Sequence, residues 1–453
     1  MLQKNQHIVV IGAARSGVAA ARLLNRNGYR ILLSDSGDIN PSFRQLLEQD
    51  QIEFEQHGHS ERAWNADCMV VSPGVPDTAP IVSNFLTKGK PVFSEVEAAS
   101  WFCAAPMAAV TGSNGKTTVV TWLDHLWKTA DKPHQTGGNI GKAFSDVAGL
   151  CTTDHWALLE VSSFQLDHIH RFQPGISCIL NITPDHLDRY EYAFENYVSS
   201  KMRILENQTS DDLFVYWQDD VHVTARLNTM VNGPRRWSFS ASGPVNQGLF
   251  VDNGVLTWSF DDRKEPLMPA SDIRLNGQHN LLNAMAVALI GRAAGIPDEA
   301  IRSALGSFTG VEHRLERVGQ INGAVYINDS KATNVESVRY ALTAVENPVI
   351  LIMGGLDKGN DYSQLSDVVK QKVRALIAIG KATPLLRDQF AGIVPEFFAE
   401  NSLQDAVHRA HSLAEAGTTV LLSPACASFD MFENYEHRGR VFKAAVNALQ
   451  EAS

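Results

Sequence analysis

The chain is poor in the features that would let it fold as a stapled, membrane-bound or nucleic-acid-coating protein. Its five cysteines, Cys68, Cys103, Cys151, Cys178 and Cys426, are scattered, odd in number and without C-x-x-C spacing, so neither a disulfide framework nor a zinc site is indicated. No stretch approaches the about 18 apolar residues that a membrane-spanning helix needs, and the opening Met-Leu-Gln-Lys-Asn-Gln-His runs directly into a strand-like segment without a leader pattern. Basic charge is short as well: 39 Lys and Arg stand against 50 Asp and Glu, a net charge of −11. That balance excludes a general nucleic-acid or anionic-membrane binder, because such partners require clustered Lys and Arg. An anionic ligand must therefore be held by local groups. Long Pro or Ser linkers, internal repeats and low-complexity tracts are missing. A globular protein of the reducing cytoplasm is the expectation.

What is present is a βαβ rhythm. At 453 residues the chain is too long for one ordinary core and calls for several domains. Apolar runs at 7–11, 31–34 and 68–72 alternate with helical spacing such as 18–27. A second series runs through 106–110, 156–161, 176–180 and 213–217, and a third through 325–328, 348–353, 375–379 and 418–422. Between the last two series, residues 232–275 carry Gly, Pro, Asp and Asn turns around 236–239, 249–251 and 255–260, which suggests a small antiparallel addition. Three tandem α/β domains are expected, at 1–96, 97–310 and 311–453.

The densest chemical signal is Thr111-Gly-Ser-Asn-Gly-Lys-Thr-Thr118, directly after the apolar run 106–110. A glycine-rich turn between a strand and a helix start leaves backbone N–H groups pointing outward, and Lys116 and Thr117 then supply a phosphate cation and a Mg²⁺ hydroxyl. Val110 stands where the strict phosphate-loop pattern has its first glycine, and an ordinary Gly/Ser/Asn turn before a lysine is the alternative. Upstream, Gly12-Ala-Ala-Arg-Ser-Gly17 follows a strand and Asp35 ends the next one, a loose dinucleotide fingerprint. Ala14 occupies the second glycine position, where a pyrophosphate demands close backbone approach. The segment therefore reads as a catalytic NAD site, a ligand-free structural turn, or a nucleotide or phosphate site of another kind. Ser72-Pro-Gly-Val-Pro76 could close the same crevice.

In the second series, Glu160 ends a strand-like run and is followed by Ser162-Ser-Phe-Gln165, so its carboxylate should sit at the carboxyl edge of the sheet near the phosphate loop, as a metal ligand. After 176–180 comes Asn181-Ile-Thr-Pro-Asp-His-Leu-Asp188, with His186 between two Asp, and Lys201 lies in a stretch suited to an amphipathic helix. A His beside two Asp also fits a cap or surface cluster, and a lone Lys a solvated face.

Taken together, residues 111–118, Gly137-Gly-Asn-Ile-Gly141, Glu160–Gln165, Asn181–Arg189, Gly277-Gln-His-Asn280 with Asn283, His313-Arg314, Asn328-Asp-Ser-Lys-Ala-Thr-Asn334 and Ser423-Pro-Ala-Cys-Ala-Ser428 stand in the order found in Mur ligases. The chain resembles that family over nearly its whole length. These are ATP-dependent amide ligases of peptidoglycan precursor synthesis, and the Asp-Ser-Lys-Ala-Thr-Asn stretch is similar to the branch that adds D-glutamate to UDP-N-acetylmuramoyl-L-alanine. The resemblance implies a Rossmann-like first domain holding the uridine diphosphate part through Gly12, Ser16, Asp35, Ser36, Ser72 and Gly74, with Gly37 where relatives carry an arginine nearby. It implies a central ATPase-like domain in which Gly112, Ser113, Asn114, Gly115, Lys116, Thr117 and Thr118 cradle ATP and Asn280 and Asn283 face the adenine. Thr117 and Glu160 would hold one Mg²⁺, and His186 with a carbamylated Lys201 a second; Asn139, Ser162 and His186 would face the substrate. A Rossmann-like last domain would bring Arg314 and Asp329 to the nucleotide, and Lys331, Thr333, Lys358, Ser428 and Tyr435, where relatives often have phenylalanine, to the amino acid. A monomer is implied.

Two readings of other classes compete with this one. A nicotinamide dehydrogenase explains the first glycine turn and Asp35 but leaves Lys116, Glu160, His186 and Lys201 without work, and a non-catalytic nucleotide-dependent switch needs no amino-acid pocket. Within the family, a folylpolyglutamate-type ligase or one for a longer muramyl peptide is the third.

Overall fold

A computed structural model describes residues 6–185, 187–345, 348–357 and 359–452. It separates into two compact units, one running through Thr309 and the other beginning at Gly310. The first unit contains two sheets. Strands β1 (His7–Ile11), β2 (Arg30–Ser34), β3 (Glu53–Glu55), β4 (Cys68–Val71) and β5 (Val92–Ser94) form a wholly parallel sheet in the order β3-β2-β1-β4-β5. The segments His-Ile-Val-Val-Ile and Cys-Met-Val-Val are apolar without alternation because helices cover both faces, leaving Ile8, Val9, Val10 and Cys68–Val70 essentially without solvent contact. The switch of strand order at β1/β4 places the loops after those strands, at Gly12 and Ser72, in one crevice.

The second sheet comprises β6 (Met107–Thr111), β7 (His134–Gly138), β8 (Trp156–Glu160), β9 (Ile176–Ile179), β10 (Leu213–Trp217), β11 (Arg235–Ser240), β12 (Gly248–Asp252), β13 (Val255–Phe260) and β14 (Arg263–Pro269), in the order β14-β13-β12-β11-β10-β9-β6-β8-β7. The expected antiparallel addition is present but smaller than its turn signals suggest. β11 pairs parallel with both β10 and β12, and only the β12-β13-β14 meander is antiparallel. Turn residues mark where a chain reverses and are silent on which side it rejoins the sheet, so the parallel return of β11 had no local signature. β14 escaped sequence reading because Arg-Lys-Glu-Pro lacks a strand's composition, and edge strands tolerate charge and proline.

The helix Glu95–Ser100, within which the expected junction near residue 96 falls, joins the two sheets. Its Glu97 is fully buried, and the carboxylate accepts from the backbone N–H groups of His170, Arg171 and Phe172 and from Trp101 Nε1, all at 2.8–3.1 Å.

The second unit holds one sheet, β15 (Glu316–Ile321), β16 (Ala324–Asn328), β17 (Val349–Gly354), β18 (Val373–Ile379), β19 (Glu396–Glu400) and β20 (Thr419–Leu422), ordered β15-β16-β20-β17-β18-β19 and parallel except at β15. The fold class is thus three α/β sheets in tandem. Among the described residues no helix is long and apolar enough to cross a membrane.

One close approach fixes the first crevice. The helix Arg15–Arg26 meets the Gly12 turn at Gly17, where any Cβ would run into the Gly12 carbonyl oxygen and Ser72 Oγ. Gly17→Ala is expected to destabilise the first unit by about 1–3 kcal/mol, read as a lowered urea midpoint; an unchanged midpoint would show that the turn has room to give.

Candidate functional site

The phosphate-loop residues occupy the turn between β6 and the helix Lys116–Thr129. Gly115 caps that helix with φ +87°, and a Cβ there would press on Asn283 Oδ1. Glycine at this position therefore serves both the left-handed backbone and the approach of the helix Gln278–Ala293. The loop is pinned from the neighbouring strand end: Ser113 N–H donates to the Asn181 carbonyl at 2.9 Å, Asn114 N–H to Asn181 Oδ1 at 2.8 Å, and Ser113 Oγ to the Thr183 carbonyl at 2.8 Å. Ser113 Oγ also lies 3.0 Å from the Tyr197 hydroxyl.

Three of the expected catalytic side chains converge on this loop. Lys116 Nζ donates to the carbonyls of Gly112 and Ser113 at 2.7 and 2.9 Å. Thr117 Oγ1 donates to Glu160 Oε2 at 2.8 Å, with Glu160 3% exposed and its other oxygen 3.4 Å from Asn139 Nδ2. A hydroxyl and a buried carboxylate side by side at a phosphate loop form the hard oxygen set that Mg²⁺ takes, so these residues fit that ion. Lys201 Nζ, 1% exposed, donates to the same Gly112 carbonyl at 2.9 Å and lies 4.6 Å over the Tyr197 ring. Burial, and next the Lys116 charge, hold its amine well below the usual lysine value. A neutral amine is what carbamylation requires, so Lys201 fits that modification. His186 lies outside the described residues.

The remaining expected residues of the first unit fall in two places. Asn283 is buried beside Gly115, whereas Asn280 Nδ2 donates to the Asn276 carbonyl at 2.8 Å at the start of the same helix. Thr118 is buried in the helix that follows the loop, and Ser162 caps the short helix Ser163–Leu166. In the first sheet's crevice, Asp35 accepts from Ala13 N–H at 2.6 Å and Gly37 N–H at 2.8 Å, and Ser72 Oγ donates to the Gly12 carbonyl at 2.8 Å. Ser16 lies in the first turn of its helix, whose leading N–H groups have no side-chain cap. Ser36 and Gly74 are exposed. A cavity of about 290 Å³ opens between this crevice and the second sheet, lined by Ser72, Ser94, Phe164, Gln165, His168 and Arg189 among others. Arg189 donates to the carbonyls of Pro73 and Val75 and stacks 4.7 Å over Phe164.

In the second unit, Asp329 follows β16 and is 4% exposed; it accepts from Leu315 N–H and from Ser423 Oγ at 3.2 and 2.8 Å. Arg314 lies half-buried and bears on the Asp329 carboxyl electrostatically. Lys331 Nζ stands 5.7 Å from the Tyr435 ring, Thr333 is half-buried, and Ser428 is 2% exposed. Lys358 lies outside the described residues.

Sequence reading missed two residues that organise these groups. Tyr197 was within reach, since its i,i+4 spacing to Lys201 puts both on one helix face. Arg438 was not. It is fully buried in the helix Tyr435–Ala452, and its guanidinium donates to Ser330 Oγ and the carbonyls of Ser330 and Cys426 at 2.9–3.1 Å. It thereby ties the loop after β16 to the loop after β20, and burial lowers it to about 10. Nothing in its neighbouring sequence marks an inward arginine.

Comparison with known proteins bears on the whole chain. Residues 7–80 match the MurD N-terminal domain, 110–291 the Mur ligase middle domain, and 313–426 the Mur ligase glutamate ligase domain. The UDP-N-acetylmuramoylalanine–D-glutamate ligase of Christiangramia forsetii is 44% identical over 98% of this chain and 99% of its own, and that of Bacteroides thetaiotaomicron 40% identical over 98% and 100%. The chain belongs to the Mur ligase family. Solved structures agree on the fold: the UDP-N-acetylmuramate–alanine ligase of Thermotoga maritima superposes with a TM-score of 0.60 at 18% identity, covering 99% of this chain and 100% of that one. The MurF ligase of Thermotoga maritima in complex with ADP gives 0.56 at 14% identity, covering 92% and 95%.

Within this Mur ligase, burial pushes the Asp329 carboxyl up to about 7, against about 3.9 in an unfolded chain. The folded unit therefore keeps a proton that the unfolded chain loses, and stability falls as pH rises from about 4 to about 7. Asp329→Asn is expected to flatten that slope, measured as urea midpoints at pH 5 and pH 8; equal slopes in both proteins would contradict the assignment.

Proposed function

We propose that the chain joins D-glutamate to UDP-N-acetylmuramoyl-L-alanine at the expense of ATP, releasing ADP and phosphate, in peptidoglycan precursor synthesis. The observation that carries this reading is the 40–44% identity, over essentially full length, to relatives bearing that name. The phosphate-loop geometry supports the ATP half, and neither a dehydrogenase nor a plain nucleotide switch uses the Thr117–Glu160 pair together with Lys201.

A carboxylate is a poor electrophile, so amide formation in water needs activation. The carboxylate of the muramoyl-alanine substrate attacks the γ-phosphorus of ATP, giving an acyl phosphate and ADP; the glutamate amine then attacks the acyl carbon, and phosphate leaves as the tetrahedral intermediate collapses. Both steps gather anions. Lys116, held at the loop rim by the Gly112 and Ser113 carbonyls, offsets charge on the transferring phosphoryl group. Thr117 and Glu160 would hold a Mg²⁺, and carbamylated Lys201 with His186 a second, and these ions would supply Lewis-acid neutralisation of phosphate oxygens. Tyr197 fixes the Lys201 side chain and the Ser113 hydroxyl in one orientation.

Asn280 and Asn283 would serve the adenine, Arg314 and Asp329 the nucleotide, and Asn139 and Ser162 the muramoyl substrate. Its uridine diphosphate part would take the crevice of Gly12, Ser16, Asp35, Ser36, Ser72 and Gly74. Lys331, Thr333, Lys358, Ser428 and Tyr435 would pair with or pack against the two carboxylates of glutamate. A cytoplasmic monomer is the setting that goes with these small-molecule substrates.

Phosphate release measured across a panel of amino acids should require both the UDP-sugar peptide and D-glutamate; preference for L-glutamate or L-lysine would reject the acceptor while leaving the ligase chemistry standing. Lys116→Ala should keep the fold and lose on the order of 10²-fold or more in turnover, and a near wild-type rate would remove the phosphate-loop role. Lys201→Ala should be nearly inactive and regain part of its rate with added short carboxylic acids, since these replace a carbamate but not an ammonium; full activity without them would sink the carbamate.

A further inference from the structure

Two of the scattered cysteines meet in the fold. Cys103 lies in the segment between the helix Glu95–Ser100 and β6, and Cys151 follows the single 3₁₀ turn Ala148–Leu150. The Ala104 N–H donates to the Cys151 carbonyl at 3.3 Å. The peptide group after Cys103 thus faces the peptide group after Cys151, the proximity that a disulfide, with its Cα separation of roughly 4.4–6.8 Å, requires. Cys103 also packs against the apolar cluster that contains Cys151, and each thiol acts electrostatically on the other. We propose that Cys103 and Cys151 form a reversible thiol–disulfide site, closed by a small-molecule disulfide such as oxidised glutathione.

The surroundings separate this pair from the other three thiols. Cys68, Cys178 and Cys426 are buried, and burial pushes each thiol up, Cys68 to about 12 and Cys426 to about 11, which leaves them inert. Cys103 is half-buried and its thiol is lowered, the neighbouring Cys151 being the first cause, which favours the thiolate, the attacking species; Cys151 is 4% exposed, donates its S–H to the Val147 carbonyl at 3.3 Å, and is pushed up by the Cys103 sulfur and then by burial, which holds it as the thiol. The Cys103 thiolate attacks one sulfur of the reagent, forming a mixed disulfide and expelling one thiolate. Cys151 then gives its proton to solvent and attacks the Cys103 sulfur, expelling the second. Two protein thiols become one disulfide, and one reagent disulfide becomes two thiols. The bridge ties the chain entering β6, whose far end opens the phosphate loop, to the turn that follows the helix Phe144–Val147.

The test uses the full chain, folded and in urea, with excess oxidised glutathione, then iodoacetamide and tryptic digestion without reduction. In the folded protein the thiol count should fall from five to three and return with dithiothreitol. The peptide of residues 89–116 should be recovered joined to that of 143–171, each of which contains a single cysteine. Recovery of both as separate alkylated peptides, a glutathione adduct that stays on Cys103, or the same mixture of pairings from folded and urea-unfolded chain would each overturn the proposal. Cys151→Ala should trap glutathione on Cys103, because the resolving thiol is gone; failure to trap it in folded variant would equally count against the site. The oxidised wild type should melt several degrees higher, by analogy with other closed loops.

Discussion

One backbone carbonyl, that of Gly112, sets the electrostatics of the first unit's site, because it accepts from both Lys116 and Lys201. Two amines sharing one acceptor cannot lie further apart than the two bonds allow, and two unit charges at about 5 Å repel by roughly 3 kcal/mol at an effective dielectric near 20. One amine must yield. Lys201 is the buried one, with its ring contact to Tyr197 and 1% exposure, so burial first and the Lys116 charge second hold its amine well below the usual lysine value. The difference between the two lysines thus follows from burial together with the repulsion of the neighbouring amine. It depends on the loop's holding its shape, which is the work of Asn181, Thr183 and Tyr197 around Ser113 and Asn114.

A second constraint governs how the crevice of the first sheet is carried relative to that loop. Among the described residues no cation pairs with the buried Glu97, and such a carboxylate is tolerable only when hydrogen bonds replace its water. Three consecutive N–H groups at 170–172 and the Trp101 indole do so. The segment that supplies them follows Phe164, Gln165 and His168, which line the cavity shared with Ser72. Anchoring the helix Glu95–Ser100 and shaping the cavity wall are therefore one structural event.

Much of this was legible in the sequence because parallel strands buried on both faces announce themselves as unbroken apolar runs: His7–Ile11, Cys68–Val71 and Val349–Gly354 could hardly be anything else. The edges were not, since Glu53–Glu55, Arg263–Pro269 and Glu396–Glu400 are charged segments whose only qualification as strands is a neighbour with unpaired backbone. The site divides the same way. Lys116 and Thr117 open the helix after β6 and Glu160 ends β8, at one edge of the sheet, where chain order alone predicts convergence. Arg438 and Glu97 act mostly through backbone groups distant in sequence, and a bond to a carbonyl or N–H group leaves no complementary side chain to read.

The same distinction settles a cluster that looks like a metal centre. Glu312, His313 and Glu316 bring three potential ligand atoms together. Asn328, however, has its Oδ1 committed to the Ser330 N–H, so its amide nitrogen must face His313 Nδ1, 2.9 Å away, and that ring nitrogen accepts. The ring proton is then on Nε2, which leaves no lone pair directed at Glu312. Lys443 already bridges both carboxylates, at 3.0 Å to Glu312 and in a 2.6 Å bond to Glu316. The charge a cation would bring is supplied by a lysine, and the histidine is spent on orienting Asn328 at the end of β16. The group thus braces the start of the Asp329–Asn334 loop from one side, as Arg438 does from the other.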